Sequence, residues 1–218
     1  MTTSAATELR VYLEVHDLQR QFAAYLGTPT RARGYPPYEG DHALIVEVAP
    51  ALAIERVIDL ALRSVPDGES GIEPGILYVE RQFGVLEIHS RSLADVERAG
   101  EAILAGTGTR SADQLRPRVL YHDIIEDITD QHAVILNRTR GGSMVVPGQS
   151  VLVYEMMPAL FAAVAANEAE RAAPGITVVD VQLIGAAGRI YLSGRLEDVT
   201  VARDRITEVL GSIEGREH

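Results

Sequence analysis

Five of the six positions in "ALIVEV", Ala43–Val48, are apolar. An unbroken apolar run of this length reads as a strand covered on both faces. It gives way at Pro50, a residue suited to the first turn of a helix, where its missing N–H costs nothing. Leu52, Val57, Leu60 and Ala61 then recur at helical spacing, which predicts a helix over 51–65. Upstream, "LRVYLEVHDLQRQFAAYLG" mixes β-branched and aromatic residues, then carries a short helical patch that closes at Gly27. The Gly- and Pro-rich residues 28–41 read as a loop or an irregular β segment. Downstream, "ILYVERQFGVLEIHS" predicts two strands around a turn near Gln82–Gly84, and Ser92–Asp95 has capping-box character opening a helix to about Leu104.

The same pattern returns in the second half. "VLVYEMMPALFAAVAANEAER" repeats the strand, the Glu, the Pro-Ala-Leu and the helix closing on Arg. Glu47 and Glu155, Pro50 and Pro158, Ala51 and Ala159, Leu52 and Leu160, and Arg63 and Arg171 all lie 108 positions apart. Arg10 and Arg118, Gly34 and Gly142, and Gly40 and Gly148 fit the same spacing, although His16-Asp17 and His122-Asp123 prefer 106. Further on, Pro74-Gly75-Ile76 is set against Pro174-Gly175-Ile176, Gly84 against Gly188, and "LADVERA" (Leu93–Ala99) against "LEDVTVA" (Leu196–Ala202). A period near 100 residues is a duplicated domain, far longer than a solenoid repeat. The expected division is 1–112 and 113–218. The second copy is predicted to carry a strand Val151–Glu155, a helix Pro158–Ala173, a hairpin Thr177–Ser193 and a helix Leu196–Ile213. Each copy reads as an α+β unit with helices on one face of a mainly antiparallel sheet.

Composition narrows the function. The 218 residues carry no Cys, which excludes disulfides, zinc thiolates and thiol catalysis. The net charge is −11 and the acids are spread along the chain, which argues against nucleic acid as a partner. No apolar run approaches the length of a membrane span, and "MTTSAATELR" lacks the features of a signal peptide, so a cytoplasmic protein without a membrane partner is expected. Copies this small bury a modest fraction of their surface, which favours packing against one another or against further chains.

At this level of detail the chain resembles the bacterial microcompartment shell family. Glu155-Met156-Met157-Pro158 resembles the family's strand end, with Pro in place of its Gly. Ile184-Gly185-Ala186-Ala187-Gly188 resembles its "IGSG"-like turn with one residue added, and "GRLEDVTVA" its second-helix entry. The first copy matches through Asp59, Arg63 and "LADVERA". Each copy has a segment ahead of the Glu strand, which is similar to the circularly permuted members of the family. Two permuted copies in one chain resemble the tandem-domain trimeric shell proteins of ethanolamine-utilising compartments and carboxysomes. The resemblance implies two tandem circularly permuted domains, a homotrimer forming a pseudo-hexamer, and a structural, non-enzymatic role without a cofactor. It also implies a place in the compartment shell beside hexameric and pentameric tiles, a second trimer stacked face to face, and a gated central pore passing small metabolites. Closed cyclic symmetry explains the duplication, since three two-domain chains supply the six domains of a hexagonal tile. The competing reading is a trimeric α+β small-molecule-binding regulator or enzyme with an inter-subunit site, which the fold alone permits.

The resemblance assigns two sets of residues. With Gly84 on Gly188, Glu80, Arg81, Gln82 and Phe83 face Ile184, Gly185, Ala186 and Ala187. One turn is charged and bulky and the other small and neutral, so the pore would be lined alternately by each, with Glu80 and Arg81 as the gate. Read without the family, Glu80 and Arg81 form a solvated pair worth about 0–1 kcal/mol. Arg63 and Arg171, with Asp59 and Asn167 ahead of them, would form the lateral edge between tiles. Their plainer reading is a cation at a helix C-terminus, worth about 0.3–1 kcal/mol. No catalytic or metal site is predicted. His122 and Glu126 have i, i+4 spacing but sit in the acidic "HDIIEDITD", Gly106-Thr107-Gly108 and the Gly185 turn lack the Lys and Ser/Thr of a phosphate loop, and Ser143 and Ser193 have no local triad partners.

Overall fold

The computed structural model describes residues 6–28, 34–65, 71–79, 82–139 and 141–218. The first half forms β1 (Glu8–Val15), α1 (Arg20–Leu26), β2 (His42–Ala49), α2 (Ile54–Ser64), β3 (Glu73–Val79), β4 (Gly84–Ser90) and α3 (Leu93–Thr107). The second half repeats the order with β5 (Arg118–Ile125), α4 (Asp130–Thr139), β6 (Ser150–Met157), α5 (Phe161–Ala172), β7 (Thr177–Gln182), β8 (Gly188–Gly194) and α6 (Leu196–Ser212). Each half builds one four-stranded antiparallel sheet, in the orders β1-β2-β4-β3 and β5-β6-β8-β7.

Two compact units result, and they do not follow the halves of the sequence throughout. One comprises the described residues of Met1–Leu18, Pro29–Arg116 and Glu214–His218. The other comprises Gln19–Thr28 and the described residues of Pro117–Ile213. Thus α1 belongs structurally to the unit built by the second copy.

In the first unit, Leu44, Val46 and Val48 of β2 and Leu86 and Ile88 of β4 pack against Ile54, Val57 and Ala61 of α2 and Val96, Ala99 and Ile103 of α3. The 3.6-residue period of the helices meets the two-residue period of the strands here. Ser92 caps α3 by accepting from the Asp95 amide, as the capping box predicts. The β2 run is buried from Ala43 to Val48, in agreement with its unbroken apolar sequence.

Three expectations are corrected. Pro50 is not in the first turn of α2. Ala49-Pro50 and Met157-Pro158 are both cis, and a short 3-10 turn at Ala51–Ala53 precedes the helix, leaving Leu52 72 % exposed rather than on the apolar face. The helices are not confined to one face. In the second unit Ala133 and Leu136 of α4 pack with Val151, Val153 and Val179, on the sheet face opposite that of Leu152, Tyr154 and Met156. The repeat also runs in a different register at two places. Val15 pairs with Ala43 and Ile125 with Val151, and Asp17 and Asp127 share a positive φ, so β1 and β5 correspond at a spacing of 110. Glu73 pairs with His89 and Thr177 with Ser193, so β3 and β7 correspond at 104 and Gly71-Ile72 is the true counterpart of Gly175-Ile176. Between these, the 108 spacing holds. Gly40 and Gly148 have φ of 86° and 81° and donate to the carbonyls of Leu18 and Ile128.

Candidate functional site: the paired turns and helix edges

Each copy places a hairpin turn against the corner that follows its Glu strand. A Cβ on Gly84 would lie 2.3 Å from the Ala51 carbonyl oxygen, and one on Gly188 would lie 2.2 Å from that of Ala159. Only glycine allows this approach, so the same close contact anchors both turns in equivalent positions.

The glutamates two residues before the ends of β2 and β6 are held differently. Glu47 accepts from Arg10 Nε at 2.8 Å and is almost fully buried. Burial raises its carboxyl above the usual range, although Arg10 opposes the shift. Glu155 instead accepts from Arg189 Nε on β8 at 2.8 Å, and Arg189 also reaches Gln182. The guanidinium partner thus comes from the strand on one side of the central strand in the first unit and from the opposite side in the second.

Of the residues assigned to the pore, Glu80 and Arg81 lie outside the described residues. Gln82 is exposed and Phe83 half-buried, with the Arg10 guanidinium 3.7 Å above the Phe83 ring. In the other turn Ile184, Gly185 and Ala186 are exposed and Ala187 is half-buried. Gly185 has φ 127°, a backbone conformation open to glycine and costly for other residues, and a Cβ there would meet no atom within 4 Å.

The four edge residues separate. Asp59 and Arg63 form an exposed pair at 2.7 Å on α2, and Arg56 also reaches Asp59 at 3.0 Å. These guanidinium groups hold the Asp59 carboxyl below the usual range, Arg63 most of all. Arg171 is half-exposed beside Glu168 at 3.5 Å. Asn167 is fully buried, and its Oδ1 accepts the Gln19 amide at 2.8 Å.

That contact belongs to a larger one that the sequence did not disclose. Glu170 accepts the amides of Gln21 and Phe22 at 2.8 and 2.9 Å, so α5 supplies the acceptors that the first turn of α1 lacks. The Gln21 side chain donates to the Ile176 carbonyl and accepts from the Val178 amide, and the Tyr25 hydroxyl donates to Asp180. The one available signal was Gln21 and Gln131 standing at equivalent positions of the two copies once the 110 spacing is known.

A second unforeseen feature lies in the first unit. Glu87 and His89 alternate with Leu86 and Ile88 and therefore read as solvent-facing, yet both are buried, with His89 Nδ1 3.0 Å from Glu87 Oε1. His89 Nε2 lies 3.6 Å from Glu73, and a cavity of about 270 Å³ lined by Tyr38, Asp41, Glu73, His89, Ser90 and Arg91 adjoins it. Burial alone would lower the imidazolium, but Glu87, Asp41 and Glu73 outweigh it and raise His89 above its ordinary value.

His122 lies on a strand, so the helical spacing to Glu126 does not arise, and its ring stacks on Tyr154 at 5.1 Å. Among the described residues no group of three or more His, Cys, Asp or Glu side chains is placed to hold a metal ion, and no helix is long and apolar enough to cross a membrane.

The chain is thus two copies of one four-stranded α+β unit, each with a Gly-anchored hairpin turn after its Glu strand. A family model described as the CsoS1D N-terminal domain matches residues 9–113. The chain is 36 % identical to the carboxysome shell protein CcmP of Synechococcus elongatus, over 97 % of this chain and 95 % of that one. It is 40 % identical to the carboxysome shell protein CsoS1D of Hydrogenovibrio crunogenus, over 93 % of this chain and 96 % of that one. The chain belongs to this CcmP/CsoS1D family of carboxysome shell proteins, and its role is structural, in a microcompartment shell. Among solved structures, the double ringed trimeric shell protein MSM0271 from the RMM microcompartment superposes with a TM-score of 0.92 at 76 % identity, covering 97 % of this chain and all (100 %) of that one. The fused permuted hexameric shell protein MSM0275 from the same microcompartment gives 0.88 at 43 % identity, covering 96 % and 99 %.

Proposed function

We propose that three chains close a ring of six repeats, taking 1–112 and 113–218 as the duplicated units, and that this ring is a shell tile with a gated pore. The observation that carries the reading is the pair of turns anchored at equivalent corners but opposite in chemistry, one holding Glu80 and Arg81 and the other Gly185 and Ala186. Around a three-fold axis such turns alternate, and the small turn leaves space for Arg81 to move. Gln82, Phe83, Ile184 and Ala187 flank the opening. Glu80 and Arg81 exchange partners of similar energy between a closed and an open arrangement, since otherwise one state would dominate. The pore passes small polar metabolites, and the chain performs no catalysis of its own.

Arg63 and Arg171 form the lateral edge toward other shell tiles, where a guanidinium forks onto carbonyls or carboxylates of a neighbour. The similarity to a double ringed trimeric shell protein supports both the three-chain ring and face-to-face stacking of two rings. The test is solute flux into reconstituted shells. Arg81→Ala should favour the open pore and speed the entry of small polar solutes, whereas unchanged flux would remove Arg81 from the gate.

A further inference from the structure

The docking of α1 in the second unit has a counterpart that the chain leaves unfilled. At the 110 spacing α4 is the repeat of α1, with Thr129, Gln131 and Ile135 standing for Gln19, Gln21 and Tyr25. The surface that receives α1 is also repeated. Asn167 corresponds to Asp59 and Glu170 to Leu62 at 108, and Ile176 to Ile72 and Asp180 to Ile76 at 104. On α4, Val134 and Ile135 are 53 % and 61 % exposed, and on α2 Leu62 is 42 % exposed. The neighbouring strands show the same asymmetry. Leu9 and Val11 of β1 are buried, whereas their repeats Val119 and Tyr121 on β5 are exposed.

We propose that α4 of one chain seats on α2 and β3 of a second copy of this chain, in the register that α1 takes on α5 and β7. The Thr129 amide then donates to Asp59, Gln131 Nε2 donates to the Ile72 carbonyl, and Ile135 packs on Ile76. Asp59 thereby belongs to the junction within a ring, and Arg63 alone of that pair faces a neighbouring tile.

The substitutions between the copies agree with this across the junction. Tyr25 donates to Asp180 in the second unit. At the repeated junction both partners are isoleucine, a matched exchange of a polar pair for an apolar one. The acceptor Glu170 is replaced by Leu62, and α4 compensates with its own cap, since Thr129 Oγ1 accepts the His132 amide at 3.4 Å. α1 has no side-chain cap of its own. Val178, whose amide donates to Gln21, is replaced by Pro74, which has no N–H, so Gln131 keeps one of the two hydrogen bonds.

The two junctions also exclude one another. Ile135 on Asp180 would remove the Tyr25 donor from a carboxylate that keeps only the Gly141 amide and the Gln182 side chain, and Tyr25 on Ile76 would bury a hydroxyl without its acceptor. This mismatch favours the alternation of first and second copies around the ring, chiefly through the unpaired Tyr25 hydroxyl at the wrong junction.

The inference rests on the three-chain ring, and its test separates the two. The chain has no Cys, so an Ile76→Cys, Ile135→Cys variant can be treated with a short bismaleimide without background. Covalent dimers and trimers on a denaturing gel are expected, while Tyr25→Cys, Asp180→Cys should link within one chain, which gains one linker and still runs as a single chain. An intact three-chain ring that yields no inter-chain product would overturn the inference and spare the ring. If the cysteines prevent assembly, Ile76→Asp provides a second test. Alone it should raise the concentration at which the ring dissociates at least about ten-fold, a cost of the size expected for a buried unpaired carboxyl. Adding Ile135→Tyr should restore assembly by recreating the Tyr25–Asp180 pair, and failure of the double variant to recover would equally overturn the proposal.

Discussion

Replacing Glu170 by Ala should loosen α1 from α5 without disturbing either sheet. Glu170 is buried, and its carboxylate accepts the amides of Gln21 and Phe22 at 2.8 and 2.9 Å. These are among the first-turn amides of α1, which have no partner inside the helix. Hydrogen bonds to a charged group contribute about 1.5–3 kcal/mol each, but losses at one carboxylate are not additive, and water can reach the partly buried Gln21 amide. The Phe22 amide is buried and would remain unpaired. A net loss of about 3 kcal/mol is therefore expected for Glu170→Ala. Glu170→Gln keeps one carbonyl acceptor and should lose about 1 kcal/mol, together with the favourable charge at the helix N-terminus. For a chain of this length about 1 kcal/mol moves the melting temperature by about 2–4 °C, so Glu170→Ala should melt roughly 6–12 °C lower. Hydrogen exchange localises the effect. The amides of Gln21 and Phe22 should lose protection while those of β2 and β4 keep theirs. Wild-type melting combined with unchanged exchange at Gln21 and Phe22 would show that apolar contacts alone hold α1, and the capping argument would fall.

Replacing Arg63 and Arg171 together by Ala should leave rings soluble but weaken lateral sheets in electron micrographs, and dissociation into single chains would place these residues on the wrong interface. The Glu87–His89 pair predicts a pH dependence. His89 is raised in the fold and Glu87, fully buried, is raised by desolvation, so the native state binds more protons than the unfolded one. The stability gained through His89 is complete below the unfolded histidine pKa of about 6.5 and fades as pH rises through the higher folded value. Melting temperature should therefore fall as pH rises above about 6.5, and a Glu87→Gln, His89→Gln variant should flatten the profile. A profile equally steep in that variant would assign the effect to other groups.

The elements and the duplication were legible because they rest on local periodicity and on residues that recur for local reasons. Gly84 and Gly188 recur because a carbonyl lies where a Cβ would stand, and Glu47 and Glu155 because each lies two residues before the end of the second strand of its sheet, beside an Arg. The register was legible only between loops of equal length. The connection from α1 to Gly34 is longer in the first copy than its repeat, as is the one from α2 to β3, and these differences shift β1 to 110 and β3 to 104. The burial of Asn167 could not be read locally, because it depends on a helix 148 positions away. The burial of Glu87 and His89 was not legible either, since their alternation with Leu86 and Ile88 is that of a solvent face and only tertiary packing buries them.

The central claim is that the duplicated chain closes a ring in threes. Native mass spectrometry of the purified protein tests it most directly. A single ring should give about 71 kDa, three times the 23.6 kDa chain, and a double ring should give twice that. Species that are not multiples of three chains would contradict it.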